Sequence, residues 1–261
     1  MRPRAVGVHR DEVYAIDITG RVQVFSATGE FRRKWRMPAA DNGTPTGVTF
    51  DQDGRVLIAD THYSAIREYN PEGELLTEWG TYGPEPGNFI YTTDIASDPD
   101  GRSYISEYGM HADRVQVFDA GKTFLFAFGK FGSGPGEFSR AMAIEVFGDL
   151  VYVCDTVNHR VQIFDLDGAF VRQVGQTGGD GHRMKYPYDA ATLPDGGILA
   201  CEYGNNCVSH FDASGEFRGS YGGPGRGLGQ FHGPRGVAVS AAGRVYVADT
   251  ENHRIQVFTW A

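Results

Sequence analysis

Leu150-Val-Tyr-Val-Cys-Asp-Thr-Val-Asn-His-Arg-Val-Gln-Ile-Phe164 and Arg244-Val-Tyr-Val-Ala-Asp-Thr-Glu-Asn-His-Arg-Ile-Gln-Val-Phe258 are one unit written twice. Weaker copies start at Val13, Arg55, Arg102 and Ile198 and run to Phe25, Tyr69, Phe118 and Phe211. An acid marks the register of each copy: Asp17, Asp60, Glu107, Asp155, Glu202 and Asp249, at spacings of 43, 47, 48, 47 and 47 residues. A unit of this length, repeated along the whole chain, buries its apolar face only by stacking on its neighbours. The expectation is therefore a single domain over residues 1–261.

Each copy reads as four short strands. In the fourth, alternating or apolar runs at 143–146, 151–154, 161–164 and 170–174 are separated by tight turns such as Asp165-Leu-Asp-Gly168. Alternation, β-branched and aromatic residues, and Asp-Gly turns are hairpin signals. No stretch has sustained helical periodicity. Four strands per unit, six times over, predicts an all-β chain folded as a six-bladed β-propeller of four-stranded antiparallel blades. The 36 glycines among 261 residues, about twice the usual share of roughly 7%, fit so many turns. The first blade opens near residues 5–8 and the chain stops after the third strand of the sixth. This predicts 23 strands and a three-stranded last blade, whose edge strand at 254–260 needs cover to avoid self-association.

The pattern resembles the NHL repeat family. The matching residues are Asn158-His159-Arg160 and Asn252-His253-Arg254, with the upstream signals Gly87-Asn-Phe89, Gly136-Glu-Phe138 and Gly229-Gln-Phe231. The resemblance covers essentially the whole chain and implies a six-bladed propeller. It implies no one activity, because such propellers serve as protein-, RNA- and small-ligand-binding modules and as enzymes.

Net charge is −9, but residues 1–36 carry +4 and the remainder −13. An acidic chain of this kind is poorly suited to nucleic acid, whose binding rests on phosphate neutralisation. The run Arg32-Arg33-Lys34-Trp35-Arg36 is either an anionic partner site or a solvated outer strand. No apolar run approaches the ~20 residues of a membrane helix, and no secretory leader is visible. Three cysteines, Cys154, Cys201 and Cys207, form no disulfide framework and favour a reduced, cytoplasmic setting, with a Cys201–Cys207 bridge as the other option. The Asp-x-Asp-Gly runs at Asp51, Asp98 and Asp165 lack further calcium-loop ligands and read as turns. Asn42-Gly-Thr44 has the form of a glycosylation acceptor but is followed by Pro45, and it means nothing in a cytoplasmic setting.

Blades 3 and 5 depart from the rest. Thirteen residues before the acid, blades 2 and 6 have Gly47 and Gly236, whereas blades 3 and 5 have Asp94 and Asp189. Their acids are followed by Tyr-Gly, Tyr108 and Tyr203 being the tyrosines. Antiparallel pairing is expected to set Asp94 against Glu107 and Asp189 against Glu202. Asp94, Glu107, Asp155, Asp189 and Glu202 then form a candidate set of oxygen ligands for Ca²⁺ or Mg²⁺. Alternatively, each repeat acid takes backbone N–H bonds from its own loop and pairs with the recurring Arg21, Arg114, Arg160 or Arg254. His62, His111 and His182 are three further residues within reach of the channel mouth.

The leading expectation is a monomeric binding scaffold for a protein or small ligand on the face of the second-to-third strand loops. Its contact residues are Asp94, Tyr108, Asp189, Tyr203, His62, Tyr186 and Tyr188. The alternative is a metal-dependent propeller enzyme of lactonase, hydrolase or lyase type, with a cation at an acidic channel mouth.

Overall fold

A computed structural model describes residues 2–38, 45–175 and 182–260; the Asn42–Thr44 tripeptide lies outside them. Alternation and turn chemistry produce the expected hairpins, and six sheets result. Blade 1 is β1 (Pro3–His9), β2 (Glu12–Asp17), β3 (Arg21–Ser26) and β4 (Phe31–Arg36). Blade 2 is β5 (Gly47–Phe50), β6 (Val56–Asp60), β7 (Ala65–Tyr69) and β8 (Leu75–Trp79). Blade 3 is β9 (Tyr91–Ser97), β10 (Ser103–Tyr108), β11 (Arg114–Phe118) and β12 (Phe124–Phe128). Blade 4 is β13 (Ala141–Phe147), β14 (Leu150–Asp155), β15 (Arg160–Asp165) and β16 (Phe170–Val174). Blade 5 is β17 (Pro187–Thr192), β18 (Ile198–Glu202), β19 (Cys207–Phe211) and β20 (Phe217–Gly222). Blade 6 has three strands, β21 (Gly236–Val239), β22 (Arg244–Asp249) and β23 (Arg254–Thr259). The 23 strands among the described residues and the short last blade agree with the sequence reading. Among the described residues no helix is long and apolar enough to cross a membrane.

The second strands, and the third strands of blades 2 to 5, read buried on both faces because blades stack face to face. Tyr14, Val22 and Val24 of blade 1 pack on Val56, Ile58 and Tyr69 of blade 2, and similar clusters fill the next four interfaces. Each fully buried aliphatic or aromatic residue there contributes about 1.5–3 kcal/mol. The seam between blades 6 and 1 is leaner: four buried residues, Val6, Val13, Tyr246 and Ala248, against nine in the blade 1–2 cluster. Polar ties supplement it. Arg2 pairs with Glu251, Thr250 Oγ1 donates to Pro3 O at 2.7 Å, and Arg244 donates to Ala27 O.

The six first strands touch in a ring, β1-β5-β9-β13-β17-β21 and back to β1. They enclose a central channel of about 300 Å³. Gly47 shows how tightly the ring closes: a Cβ there would lie 1.9 Å from Asp94 Oδ1 and 2.6 Å from Asp94 Cα. The turn aspartates behave as read, Asp51, Asp98 and Asp165 each accepting two N–H bonds from their own turn. In the basic run on β4, Arg33 is bound to Glu12 and Pro71 O, and Trp35 packs near Tyr69. Part of that run therefore holds blade 1 against blade 2. All three cysteines are free and buried. Cys207 lies opposite Glu202 and Cys201 opposite Val208, so alternation along the strands sends the two thiols to opposite faces, and no bridge forms.

Candidate ligand-binding site at the channel mouth

The repeat acid is a rivet in most blades. In blade 4, Asp155 accepts Ser139 N at 2.7 Å, Asn158 Nδ2 at 2.9 Å, Arg160 Nε at 2.7 Å and Gln162 Nε2 at 3.1 Å. The same arginine and glutamine reach the carbonyls of Gly134 and Glu137 in the loop that leads into the blade. Blade 6 repeats this with Asp249, Asn252, Arg254 and Gln256, and blade 3 with Glu107, Arg114 and Gln116. The Asn-x-Arg-x-Gln spacing of the repeat thus ties a loop to a buried carboxylate. Burial pushes Asp155 and Glu107 up from the usual carboxylate range despite these donors.

The expected facing of Asp94 and Glu107 is replaced by a different register. Asp94 lies opposite Ser106, and Glu107 lies opposite Thr92, with a register shift between Ser106 and Glu107. Asp189 likewise lies opposite Cys201, while Glu202 lies opposite Pro187. The five acids suggested for a cation are therefore not brought together. Asp94 and Asp189 line the channel, whereas Glu107, Asp155 and Glu202 are buried within their own blades, bound to the leading loops.

In the channel the two aspartates clamp alternate blades. Asp94 accepts Ile95 N at 2.9 Å and Ile144 N of blade 4 at 3.0 Å. Asp189 accepts Ala190 N at 2.9 Å and Val237 N of blade 6 at 2.8 Å. Glu145, absent from the sequence-derived set, is the third channel acid; Oε1 accepts Thr192 Oγ1 at 3.0 Å and Oε2 has no partner. Burial raises all three, and the charge of Asp189 adds to it for Asp94 and Glu145: Asp94 stands well above its ordinary value, Asp189 at about 7 and Glu145 at about 8.

Above them three arginines gather, each at or just before the start of a first strand: Arg4 in blade 1, Arg140 in blade 4 and Arg235 in blade 6. Arg235 lies over Tyr188 at 4.7 Å and Tyr203 at 4.9 Å, and Arg140 over Tyr108 at 4.8 Å. Arg4 and Arg235 line one cavity of about 250 Å³. Burial, then the charge of Arg235, lowers the Arg4 guanidinium to about 10, with Arg140 adding to the effect. None of the three forms an ion pair with a described carboxylate, and the Nε atoms of Arg4 and Arg140 are buried without a partner. Arg140 holds a left-handed backbone conformation, φ 65°, of the kind that concentrates at functional sites.

Of the expected contact residues, Tyr108, Tyr188 and Tyr203 thus stand beside the arginines, and Asp94 and Asp189 line the channel. His62 meets Tyr91, whose ring lies tilted against Tyr108 at 5.5 Å, and Tyr186 packs on His159 at 4.4 Å. The arginines escaped the sequence reading, although counting thirteen residues back from Asp17 arrives at Arg4. His182 belongs elsewhere, against Glu202 in blade 5.

Residues 231–258 match the NHL repeat. The match falls on blade 6 of a chain that folds as a six-bladed β-propeller. It is 31% identical over 135 residues to "Protein brain tumor" of Drosophila melanogaster, a match covering 50% of this chain and 12% of that protein. It is 28% identical over 165 residues to NHL repeat-containing protein 3 of Mus musculus, covering 56% of this chain and 46% of that one. The matches thus take in less than half the length of these relatives. Among solved structures, a streptogramin B lyase superposes with a TM-score of 0.68 at 14% identity, covering 100% of this chain and 83% of the other; that likeness is one of fold.

Proposed function

We propose that the protein is a binding module that takes the anionic end of a protein or small-molecule ligand, a carboxylate or phosphate group, at the channel mouth. The observation that carries this reading is the set of three arginines, Arg4, Arg140 and Arg235, lacking carboxylate partners among the described residues of a chain of net charge −9. Guanidinium groups recognise carboxylate and phosphate through paired hydrogen bonds, and tyrosine faces lie against two of the three, Arg140 and Arg235. Buried charge without a counter-charge destabilises a fold, so the free protein carries a cost that an anion would relieve. The surrounding loops come from separate blades and allow contacts beyond the anionic group.

The test is the melting temperature and calorimetric titration of the purified chain with inorganic phosphate and with acetate, against chloride at equal ionic strength. A saturable rise in Tm, lost in Arg140→Ala/Arg235→Ala, is expected. In the absence of added anion, Arg4→Met should be more stable than the wild type by about 1–2 kcal/mol, the charge being replaced by an apolar chain. Equal response to all three salts, or an undiminished response in the double variant, refutes the reading.

The enzyme alternative draws on Asp94, Asp189 and Glu145, which share one channel and leave Glu145 Oε2 open to a Ca²⁺ or Mg²⁺ ion. It requires that chelation lower the Tm of the purified protein and that Asp189→Asn abolish the effect. No shift on chelation removes the channel cation.

A further inference from the structure

Five of the six blades meet their buried acid with a guanidinium. The pairs are Asp17–Arg21 at 2.7 Å, Asp60–Arg67, Glu107–Arg114 at 2.6 Å, Asp155–Arg160 at 2.7 Å and Asp249–Arg254 at 2.8 Å. Blade 5 has none. Its acid, Glu202, is fully buried, and where the repeat has arginine and glutamine the chain has Cys207 and Ser209. His182, from the segment leading into the blade, fills the gap.

The two oxygens of Glu202 are treated differently. Oε2 accepts Lys185 N at 2.7 Å and Asn205 Nδ2 at 2.6 Å, as a repeat acid does. Oε1 is ringed by His182 Nε2, Ser209 Oγ and Cys207 Sγ, the last at 3.8 Å. His182 Nε2 also lies 2.9 Å from Ser209 Oγ. A proton relay of the Ser-His-acid kind uses the two ring nitrogens separately; here one nitrogen meets both the hydroxyl and the acid, so the cluster is not arranged for nucleophilic catalysis. The three atoms His182 Nε2, Glu202 Oε1 and Cys207 Sγ do lie within 4.8 Å of one another. The imidazole stacks on Phe217 at 4.7 Å and 9°, which fixes its orientation, and 17% of its side-chain surface remains open to solvent.

We infer that blade 5 binds a divalent zinc-class ion through His182 Nε2, Glu202 Oε1 and Cys207 Sγ, in the place that arginine occupies in the other blades. A donor set of imidazole, thiolate and carboxylate selects zinc over calcium or magnesium, which take oxygen. Charge balance agrees. The ion brings two positive charges, and binding releases the Cys207 proton to solvent. Thiolate and carboxylate then neutralise the metal, just as a single carboxylate neutralises a single guanidinium elsewhere. The fourth tetrahedral position falls to Ser209 Oγ or to water entering past His182. This site is separate from the channel mouth and stands whether or not an anion binds there.

The experiment uses the full chain, stripped of metal, titrated with Zn²⁺ against a chromophoric chelator and, separately, with Co²⁺. Expected are one equivalent of zinc, a rise in Tm on loading, and a thiolate-to-cobalt charge-transfer band in the near ultraviolet. Cys207→Ser should abolish that band and weaken zinc by more than about tenfold, and His182→Ala should weaken it likewise. Cys207→Arg/Ser209→Gln restores the residues of the other blades, so it should fold and take up no metal; it decides the matter even if the single variants prove unstable. No zinc uptake by the wild type, an unchanged cobalt spectrum in Cys207→Ser, or undiminished zinc binding by the double variant overturns the inference.

Discussion

Glu145→Gln isolates the electrostatics of the channel. The folded state holds this carboxyl at about 8, through burial first and the charge of Asp189 in addition, with the Thr192 bond opposing. In the unfolded chain it titrates near 4.5. Below the unfolded value both states carry the proton and the group contributes nothing pH-dependent. Between the two values the folded state alone retains it, so stability falls as pH rises, by about 1.4 kcal/mol per unit, and levels off above the folded value. Full burial would bring the loss to about 5 kcal/mol over that window. Glu145 keeps part of its surface on the channel lumen, where solvent screens its charge, and about 2 kcal/mol is the better expectation. Glutamine keeps the acceptor for Thr192 and carries no charge. Urea unfolding of both proteins from about pH 4 to about pH 9 gives the comparison. The variant should match the wild type within about 0.5 kcal/mol at the acid end and exceed it by about 2 kcal/mol at the alkaline end. Parallel stability curves, or a wild type that gains on the variant as pH rises, would show that Glu145 holds no extra proton in the folded state.

Arg160→Ala strips Asp155 of its cation and frees the carbonyls of Gly134 and Glu137; both partners of the pair are almost fully buried. It should cost about 3–5 kcal/mol, whereas Arg21→Ala, whose guanidinium is 41% exposed, should cost about 1 kcal/mol or less; equal losses measured by urea unfolding would deny the rivet its dependence on burial. Gly47→Ala forces a methyl group onto Asp94 and should cost about 3 kcal/mol, and a melting temperature equal to that of the wild type would show that the ring has slack at this point.

The architecture was legible because its determinants are local. Alternation along Leu150–Asp155 and Arg160–Asp165, and the turn closed by Asp165 and Gly168, specify a hairpin without reference to the rest of the chain. The acid recurs every 43 to 48 residues, with an arginine four to seven residues on in five of the six copies, so the copies reinforce one reading. The site was less legible for two reasons. The irregularity between Ser106 and Glu107 sends Asp94 and Glu107 to different surroundings, and a bulge of one residue leaves no mark in composition. Ring closure then brings Arg4, Arg140 and Arg235 from blades 1, 4 and 6 to one mouth, a juxtaposition that no window along the sequence contains. Two signals were nonetheless present. Glu145 is a charge within a channel-facing strand that is otherwise apolar at 143–146, and blade 5 is the copy in which cysteine stands where arginine recurs.

Among the described residues every sheet is built from consecutive strands of a single repeat, and no blade borrows a strand from across the ring. In genetic terms, a breakpoint in a linker between blades adds or removes a whole sheet and leaves the pairing of each surviving hairpin intact. The price of such an event falls on the angle between blades and on the one seam where blade 6 meets blade 1, held by Arg2, Pro3, Glu251 and Thr250. Stacked repeats interact chiefly with their neighbours, so a copied blade needs only two compatible faces to be accommodated. The agreement of 150–164 with 244–258 at ten of fifteen positions, two blades apart in the finished ring, is the kind of trace that copying by whole blades would leave.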